Sequence, residues 1–418
     1  MQTLHGIYTP KTNFFNGNNP FDLVEQYQSP LYVYNETILR ERCQDIKNLV
    51  TYKNFVPHFS IKANTNIHLL KIVKEEGLHA DTMSPGEIFM ALKSGFSSDE
   101  LFYIPNNATR EDLQFAIDNN VLTSADSLEQ LELYSSMNPN SSVAIRLNVG
   151  IGAGHHEKVI TAGKKTKFGI NPEDMEEVKN ILSKYNMKLV GLNQHIGSLF
   201  MDADAFVKST SYLLNFAHKF PDLEFIDLGG GFGIPYHKQE NETGINLELL
   251  GEKLDKLFND FATTYGKEIQ FQIEPGRYIA CECGIVLGQV TGLKHNAETT
   301  YVGTDIGFNV LARPVMYDSH HDIEFYTKNM PQNPEATELT VVGNICESGD
   351  ILAKDRVLTK PQTDDIIGIM DAGAYGFCMS SSYNMRPKCA EVLICNDGST
   401  KLIRRRETFE DLLSMMEV

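Results

Sequence analysis

Short apolar segments alternate with amphipathic ones along residues 35–275, and this alternation limits the fold more than any other feature of the sequence. Each apolar segment is typical of a buried β-strand, and the segment after it has the apolar spacing of a helix. Eight such units predict an α/β fold, a (β/α)8 barrel of the TIM type, whose functional side chains stand at the carboxyl ends of the strands. The predicted strands are Val56–Ile61, His79–Met83, Leu101–Ile104, Val121–Ser124, Ser142–Asn148, Lys188–His195, Glu224–Leu228 and Ile269–Glu274.

After Glu274 strand patterns follow one another with few helical ones, which predicts a C-terminal all-β domain. The early strand Leu31–Tyr34 is expected to pair with that domain. The predicted division is therefore an N-terminal segment 1–35 that pairs with the β-domain, a barrel over 36–278, and a β-domain over 279–418. The later strands predicted are Ile285–Leu293, Leu339–Ile345, Asp365–Met370, Glu391–Cys395 and Lys401–Arg404.

Composition narrows the class of protein. The net charge of −18 argues against a nucleic-acid partner, because phosphate binding requires clustered cations. No apolar run reaches the length of a membrane span, and the first 19 residues lack the order of a signal peptide. The seven cysteines have no zinc-type spacing, so we expect free thiols, no metal, no membrane and a cytoplasmic location.

Lys62 stands where the first predicted barrel strand ends, just before the helix N-cap pattern of Asn64-Thr65-Asn66. A desolvated lysine at the barrel mouth can lose its proton and form a Schiff base with an aldehyde cofactor. A surface lysine at the start of a loop would be the better interpretation if the residue stood alone. The chain also supplies a candidate phosphate loop, a partner for a ring nitrogen and a cysteine acid.

The run Gly229-Gly230-Gly231-Phe232-Gly233 follows the seventh predicted strand, and its backbone N–H groups could surround a phosphate. A plain tight turn is the alternative, and the glycine spacing is not that of a dinucleotide site. Glu274, in Glu274-Pro275-Gly276-Arg277, ends the eighth strand. A buried carboxylate there needs a cation such as a protonated pyridine nitrogen, unless it simply pairs with Arg277.

Several other residues are candidates for the site only because they occur together with Lys62, the glycine run and Glu274. His195 could stack on a flat cofactor ring, and Ser198 could donate a hydrogen bond to a phosphate, although a lone histidine is more often structural. Cys346 has a thiol suited to protonating a carbanion, and Glu347 could hold an ammonium, although an isolated cysteine is usually inert. Tyr375 lies beside small residues that permit close approach of a ligand.

Arg313 and Tyr317 add a guanidinium and a hydroxyl four residues apart in Arg313-Pro314-Val315-Met316-Tyr317. A guanidinium fork matches a carboxylate.

Six of these motifs together resemble the signatures of the alanine-racemase-fold, pyridoxal 5'-phosphate-dependent (PLP-dependent) decarboxylases, and most of all the diaminopimelate decarboxylase family. The similarity runs from about Pro30 to Glu410. The motifs that carry it are Lys62-Ala63-Asn64, His195-Ile196-Gly197-Ser198, Gly229-Gly230-Gly231-Phe232-Gly233, Glu274-Pro275-Gly276-Arg277, Cys346-Glu347-Ser348-Gly349-Asp350 and Asp371-Ala372-Gly373-Ala374-Tyr375-Gly376.

The resemblance implies a cofactor site in the barrel. Lys62 would carry the pyridoxal 5'-phosphate, Glu274 would hold its ring nitrogen protonated, and His195 would stack on the ring, with Asp81 nearby. The remaining cofactor contacts implied are those of Ser198, Gly230, Gly231, Gly276, Arg277 and Tyr375.

The resemblance also implies decarboxylation of meso-2,6-diaminopimelate to L-lysine and CO2, with Lys62, His195 and Cys346 as catalytic residues. Cys346 would supply a proton after CO2 leaves. It would reach into the partner's barrel together with Glu347, so that a homodimer shares its sites. The implied substrate contacts are those of Arg277, Arg313, Tyr317, Glu347 and Tyr375.

Three alternatives remain open. A decarboxylase of another basic amino acid or of a carboxylated polyamine would have no use for Arg277, Arg313 and Tyr317 as carboxylate ligands. A catalytically silent regulator would not need Lys62 and Cys346. A racemase of the same fold would need a second base, typically a tyrosine. The glycine-rich segment Gly150–His156, between Asn148 and Lys167, is further expected to belong to a loop that closes over the site. The segment Gly163–Ile170 resembles the family's loop before the helix that follows the fifth strand.

Overall fold

The computed structural model describes residues 2–5, 8–150, 153–154, 167–329 and 333–417. The chain divides into two compact units. The first, here called the barrel unit, consists of Glu41–Ile234 and Gly244–Ile279. The second, here called the sheet unit, consists of Met1–Arg40, Pro235–Thr243 and Ala280–Val418.

Eight parallel strands close into a barrel, in the order in which they follow one another along the chain. The last strand closes the ring by pairing with the first, Phe271 beside Phe55 and Ile273 beside Pro57. The (β/α)8 barrel predicted from the sequence is therefore confirmed. Its strands are Phe55–Ser60, His79–Thr82, Leu101–Tyr103, Leu122–Ala125, Ser142–Arg146, Lys188–Asn193, Phe225–Asp227 and Gln270–Ile273.

Helices follow the strands, and side chains cap several of them at the first turn. Ser84 and Ser127 each accept a hydrogen bond from a backbone N–H three residues later, and so does Asn246. No helix among the described residues is both long and apolar enough to cross a membrane. The main helices are Glu36–Lys47, Ile67–Glu75, Pro85–Ser94, Arg110–Asp118, Leu128–Met137, Met175–Lys184, Asp204–Ala217 and Leu247–Tyr265.

The interior of the barrel is packed with side chains. Phe102 on the third strand and Phe225 on the seventh lie edge to face, with ring centroids 5.2 Å apart, and Ala144 of the fifth strand belongs to the same buried cluster. This cluster belongs to the packed interior that is typical of such a barrel.

The sheet unit is built on a sheet of 10 strands. Seven of them neighbour one another in the order Gln2–His5, Ile323–Thr327, Ile366–Ile369, Gly284–Asn296, Thr299–Thr304, Ala336–Val342 and Ile351–Thr359. The other three are Leu31–Asn35, Ala390–Ile394 and Thr400–Arg404. This confirms the mostly β character predicted for the C-terminal part of the chain.

The strand Leu31–Asn35 lies inside that sheet. It pairs antiparallel with Gly284–Asn296 on one side and parallel with Ala390–Ile394 on the other. All five of its residues are buried. The N-terminal segment thus supplies an interior strand of the sheet unit.

The structure differs from the sequence prediction in detail. The sheet unit contains four strands that were not predicted: Gln2–His5, Thr299–Thr304, Ile323–Thr327 and Ile351–Thr359. Residues 36–40 and 235–243, placed in the barrel by the predicted division, group with the sheet unit. Most of the segment expected to form the closing loop, residues 151–152 and 155–166, lies outside the described residues.

Candidate active site

Lys62 lies in a single 3-10 turn, Ile61–Ala63, directly after the first barrel strand ends at Ser60. The following helix begins at Ile67, where the Asn66 side chain accepts a hydrogen bond from the backbone N–H of His68. This turn places the half-buried lysine at the carboxyl end of the barrel. Its charge acts on Asp81, Glu87, His195 and Glu274.

Three buried carboxyl groups lie at the same end of the barrel. Asp81 is in the second strand, Asp227 ends the seventh, and Glu274 follows the eighth. Burial raises the pKa of Asp81 well above its ordinary value, and the neighbouring Glu274 raises it further. Burial, followed by the charge of Asp227 and a hydrogen bond with it, likewise raises the pKa of Glu274. Asp227 and Glu274 therefore form a pair of carboxyl groups that shares one proton.

Arg146 and Lys62 are the cations whose charge opposes this shift at Glu274. Arg146 ends the fifth strand with its side chain buried, and its Nη1 lies 3.8 Å from Oδ1 of Asp126. The guanidinium carbon lies 4.6 Å from the centre of the Phe168 ring. Arg146 is thus held between an acid and an aromatic face, inside the group of charges around Glu274.

His195 is held neutral at this end of the barrel. Burial, followed by the charges of Lys62 and Arg146, lowers the pKa of His195 well below its ordinary value. The backbone N–H of Gly230 donates to Nδ1 of the ring over 3.2 Å. Because Nδ1 accepts, the proton of the neutral imidazole is on Nε2.

The glycine loop approaches neighbouring backbone too closely for side chains. A Cβ on Gly230 would lie 1.9 Å from the carbonyl oxygen of Glu274, and one on Gly231 would lie 2.3 Å from that of Gly197. Gly231 also has a φ of 110°, which L-residues rarely adopt. The buried Gly276 faces Ser60, whose Cβ would lie 2.8 Å from an added one. These positions require glycine.

Arg277 and Ser198 meet beside this loop. Nη2 of Arg277 donates a hydrogen bond to Oγ of Ser198 over 3.0 Å, and Arg277 is almost fully buried. The sequence prediction assigned both residues to cofactor contacts and Arg277 to the substrate as well. Their contact brings these two predicted site residues together within the barrel unit.

The residues of the barrel unit fit pyridoxal 5'-phosphate. Oε1 of Glu274 is buried and has no hydrogen-bond partner among the described residues, as expected of an atom that faces a cationic ring nitrogen. The Gly229–Gly231 turn offers closely packed backbone without side chains, which suits a phosphate. An amine, Lys62, stands within electrostatic range of the same carboxylate.

The sheet unit carries the other predicted residues, and Arg313 is the most deeply buried of these, at 2% exposure. It begins the short helix Arg313–Tyr317, so Tyr317, one turn later, lies half-buried on the same face. The guanidinium donates to the hydroxyl of Tyr236 over 2.8 Å, and its carbon lies 4.8 Å from the centre of that ring.

Tyr375 belongs to a turn with unusual backbone geometry. It has a φ of 56°, and Asp371 at the start of the turn has a φ of 55°. The Asp371 carboxylate is buried and accepts a hydrogen bond from Nζ of Lys238 over 2.6 Å. Gly373 packs against the carbonyl of Ala280, 1.9 Å from where its Cβ would lie. These contacts fix the turn that presents Tyr375.

Cys346 and Glu347 lie in an exposed turn of the sheet unit. The backbone N–H of Cys346 donates to the Asn384 side chain over 2.9 Å, and the hydroxyl of Tyr383 donates to Glu347. The buried carboxylate of Asp350 fixes the turn by accepting from the backbone N–H groups of Ile345 and Phe308, each over 2.7 Å. The thiol is therefore presented on a well-ordered surface turn.

Two residues of the barrel site were missed by the sequence analysis, Asp227 and Arg146. The sequence did offer a signal for Asp227, because this acid is the last residue but one of the predicted strand Glu224–Leu228, just before the glycine loop. In the structure its Oδ1 accepts a hydrogen bond from the Gly229 backbone N–H over 2.9 Å. No signal in the sequence indicated Arg146, since an arginine within a strand that ends at a loop is usually solvated.

Comparisons with known proteins show the family of this chain. The sequence model of the family described as "Pyridoxal-dependent decarboxylase, pyridoxal binding domain" matches residues 36–281. The chain is 38% identical to the diaminopimelate decarboxylase of Methanothermobacter thermautotrophicus, over 95% of this chain and 94% of that protein. It is 30% identical to the enzyme of that name from Escherichia coli K12, over 98% of this chain and 99% of the relative.

A solved structure extends the similarity to three dimensions. Diaminopimelate decarboxylase from Helicobacter pylori, complexed with L-lysine, superposes with a TM-score of 0.87 at 28% identity, over 95% of this chain and 99% of that one. The matches cover both units and both sets of predicted site residues. The chain belongs to the diaminopimelate decarboxylase family of PLP-dependent carboxy-lyases.

Proposed function

We propose that this chain decarboxylates meso-2,6-diaminopimelate to L-lysine and CO2 with pyridoxal 5'-phosphate, the last step of lysine biosynthesis. Relatives that carry the name diaminopimelate decarboxylase match nearly the whole chain, and a solved one is complexed with L-lysine, the product proposed here. Within the family, the preference for a substrate depends on the residues that contact it.

The buried guanidinium of Arg313 is the observation that supports diaminopimelate as the substrate. Among the described residues its partners are the uncharged side chains of Tyr236, His321 and Ser319, and no carboxylate forms an ion pair with it. A buried cation without an acid is costly until an anion arrives. The distal carboxylate of diaminopimelate is such an anion, whereas the single carboxylate of lysine or ornithine as a substrate is the one that decarboxylation removes.

The barrel residues would hold the cofactor and manage protons around it. Bound pyridoxal 5'-phosphate supplies an electron sink for the electron pair left behind when CO2 departs. Glu274 would hold a proton at the ring nitrogen, and Asp227 would then accept hydrogen bonds without sharing that proton. The neutral imidazole of His195 would face the ring without adding a second positive charge. Lys62 would bind the aldehyde carbon, and Ser198, Gly230, Gly231, Gly276 and Tyr375 would bind the phosphate.

Cys346 would donate the proton that replaces CO2, and Glu347 would bind the distal ammonium of the substrate. Both side chains are exposed on the sheet unit, next to the exposed hydrophobic side chains of Tyr383 and Met385. A proton donor must be shielded from water to be selective. We therefore propose a homodimer in which this turn completes the partner's site.

All seven cysteines are free thiols, and three of those outside the Cys346 turn are fully buried. Free thiols persist in a reducing compartment. This supports a proposed location in the cytoplasm.

A product assay tests the proposed function directly. The purified holoenzyme would be incubated separately with meso-diaminopimelate, L-lysine, L-ornithine and L-arginine, with amines and amino acids separated afterwards. We expect L-lysine from diaminopimelate, and turnover of the other three at least about a hundredfold slower, because their single carboxylate is the one to be lost and no second carboxylate is left for Arg313. Cadaverine, putrescine or agmatine as the main product would refute the proposal.

A further inference from the structure

We propose that Tyr236 and His321 form an uncharged cradle that orients Arg313 and leaves its charge uncompensated, and that this cradle determines the preference for a substrate with a second carboxylate. The inference rests on the proposed function, in which Arg313 binds the distal carboxylate. Tyr236, His321 and Arg313 are all buried, at 5%, 1% and 2% exposure.

The hydrogen bonds of His321 fix the role of each ring nitrogen. Nδ1 lies 2.7 Å from the backbone carbonyl oxygen of Met370. A carbonyl only accepts, so Nδ1 must carry the proton. Nε2 lies 3.0 Å from Nη1 of Arg313, which can only donate. His321 is therefore a neutral imidazole whose Nε2 lone pair is occupied by the guanidinium.

Tyr236 is oriented in the same way by a chain of donors. The thiol of Cys281 donates to the backbone carbonyl of Asp371 over 3.0 Å. The Tyr236 hydroxyl, 3.1 Å from the Cys281 sulfur, therefore donates to it. Its oxygen then accepts from Nη1 of Arg313 over 2.8 Å. Both hydrogens of Nη1 are thus bound by neutral acceptors.

The remaining donors of Arg313 suit a carboxylate. Nη2 donates one hydrogen bond to Oγ of Ser319 over 3.3 Å. A guanidinium has five N–H donors, so Nε and one Nη2 hydrogen are not used by any bond within the described residues. Two adjacent N–H groups form the edge that binds a carboxylate in bidentate fashion. The cradle thereby leaves a carboxylate-binding edge and holds it in one orientation.

The nearby buried acids of the sheet unit do not cancel the charge. Asp371 pairs with Lys238 over 2.6 Å, and Asp322 pairs with His320 over 2.9 Å and with Arg356 over 3.5 Å. Each of these two acids is thus paired with a cation other than Arg313. A negative side chain in place of His321 would pair with Arg313 and compete with the substrate's carboxylate.

Three variants test the cradle. His321→Glu places an acid against Arg313, His321→Gln keeps a neutral acceptor, and Tyr236→Phe removes one acceptor without changing the ring. With meso-diaminopimelate we expect KM to rise at least about 30-fold in His321→Glu, about 5- to 10-fold in Tyr236→Phe, and less than about threefold in His321→Gln. We expect kcat to change less than about threefold in each, since the bond lost is equally present before and during the reaction.

The dissociation constant of cadaverine, followed by the absorbance of the bound cofactor, separates specificity from general damage. Cadaverine is a diamine without a carboxylate, so we expect His321→Glu to alter its affinity by less than about threefold. The product L-lysine keeps the distal carboxylate and should be weakened as diaminopimelate is. His320→Gln, beside it in sequence and half-buried, is the matched control and should behave as wild type. Equal weakening of diaminopimelate and cadaverine in His321→Glu, or no weakening of either, would overturn the inference.

Failure of the inference and failure of the proposed function give different results. If the wild type prefers lysine or ornithine, the proposed function is wrong whatever the variants do. Calorimetric binding of pimelate, the heptanedioate without amino groups, to the holoenzyme then still reports on the cradle. Pimelate that binds the wild type and is lost in His321→Glu supports it. Pimelate that binds both equally, or neither, contradicts it.

Discussion

The charges at the carboxyl end of the barrel depend on one another. Asp227 and Glu274 are both buried, and burial raises the pKa of each. A hydrogen bond with Glu274 lowers the pKa of Asp227, whereas Asp227 raises that of Glu274, so that Glu274 keeps the proton of the pair. Lys62 and Arg146 oppose this shift without cancelling it. A cationic ring nitrogen beside Glu274 would supply the missing positive charge, which explains why an otherwise costly group of buried acids occurs there.

The first prediction concerns Lys62. Borohydride treatment of the holoenzyme should fix the cofactor to the peptide that contains Lys62. Lys62→Ala should retain some cofactor through the phosphate contacts but lose turnover, because the amine is needed both for exchange with the substrate and for proton transfer. Lys71→Ala, on the exposed face of the next helix, is the control. Mass spectrometry that finds the label on another lysine would contradict the assignment.

Arg313 makes a second prediction at this scale. Arg313→Ala should lower kcat/KM for diaminopimelate by about two to three orders of magnitude, because truncating one partner of a buried charge pair costs roughly 2–5 kcal/mol. Arg405→Ala removes an exposed guanidinium that pairs with Asp411 and should have little effect. Steady-state kinetics check both, and wild-type efficiency in Arg313→Ala would refute its role.

His58 gives a pH dependence. Burial, followed by the charge of the nearby His79, lowers the pKa of His58 from 6.5 to about 3. Between these values the unfolded chain binds a proton that the folded chain does not, so stability falls as pH drops below about 6.5. At pH 4.5 this costs the wild type about 2–3 kcal/mol.

Urea unfolding at pH 7 and pH 4.5 measures that loss. His58→Leu removes the titrating group, so its midpoint should fall less between the two pH values than that of the wild type. An equal fall in both proteins would show that His58 does not contribute to the acid sensitivity.

How much of the site could be predicted follows from where its residues lie along the chain. Lys62 and Glu274 end predicted strands next to recognisable turns, so local pattern and strand order suffice to find them. The Tyr236–His321–Arg313 cradle joins Tyr236 to a segment that begins 77 residues later and holds both Arg313 and His321. Nothing around Tyr236 or His321 distinguishes either residue from an ordinary core residue. Such contacts depend on tertiary packing and are visible only in the structure.

At the scale of elements, the glycine turn after the seventh strand depends on the absence of side chains. Gly230→Ala would place a methyl group 1.9 Å from the carbonyl oxygen of Glu274, and both segments would have to move. We expect the affinity for pyridoxal 5'-phosphate to fall at least about tenfold, measured by titration of the apoprotein and followed by absorbance. Gly292→Ala, where an added Cβ meets nothing within 4 Å, should bind normally. Unchanged affinity in Gly230→Ala would refute a phosphate site at this turn.

Helices and strands differ in how well the sequence predicts them. The helices Pro85–Ser94 and Leu128–Met137 begin directly after Ser84 and Ser127, whose side chains are N-cap signals that can be read locally in the sequence. The strand Ile323–Thr327 was missed. Its neighbours are Gln2–His5 and Ile366–Ile369, which are distant in sequence, and pairing of this kind leaves little local trace.

At the scale of the whole molecule, the proposed dimer predicts complementation. Cys346→Ala and Lys62→Ala should each be nearly inactive alone. Mixed under conditions of subunit exchange, a hybrid dimer has one site with both residues and one with neither, so activity should recover to roughly a quarter of wild type. No recovery, with exchange shown by native mass spectrometry, would mean that Cys346 serves its own chain or is structural.

The interior position of Leu31–Asn35 has a consequence for synthesis of the protein. Its parallel neighbour Ala390–Ile394 is translated about 360 residues later. At 5–20 residues per second the ribosome needs about 20–70 s to deliver that neighbour. Throughout this interval a strand whose five residues are all buried in the finished sheet has an open edge. We therefore expect this edge of the nascent chain to need protection from association until the later strand has been made.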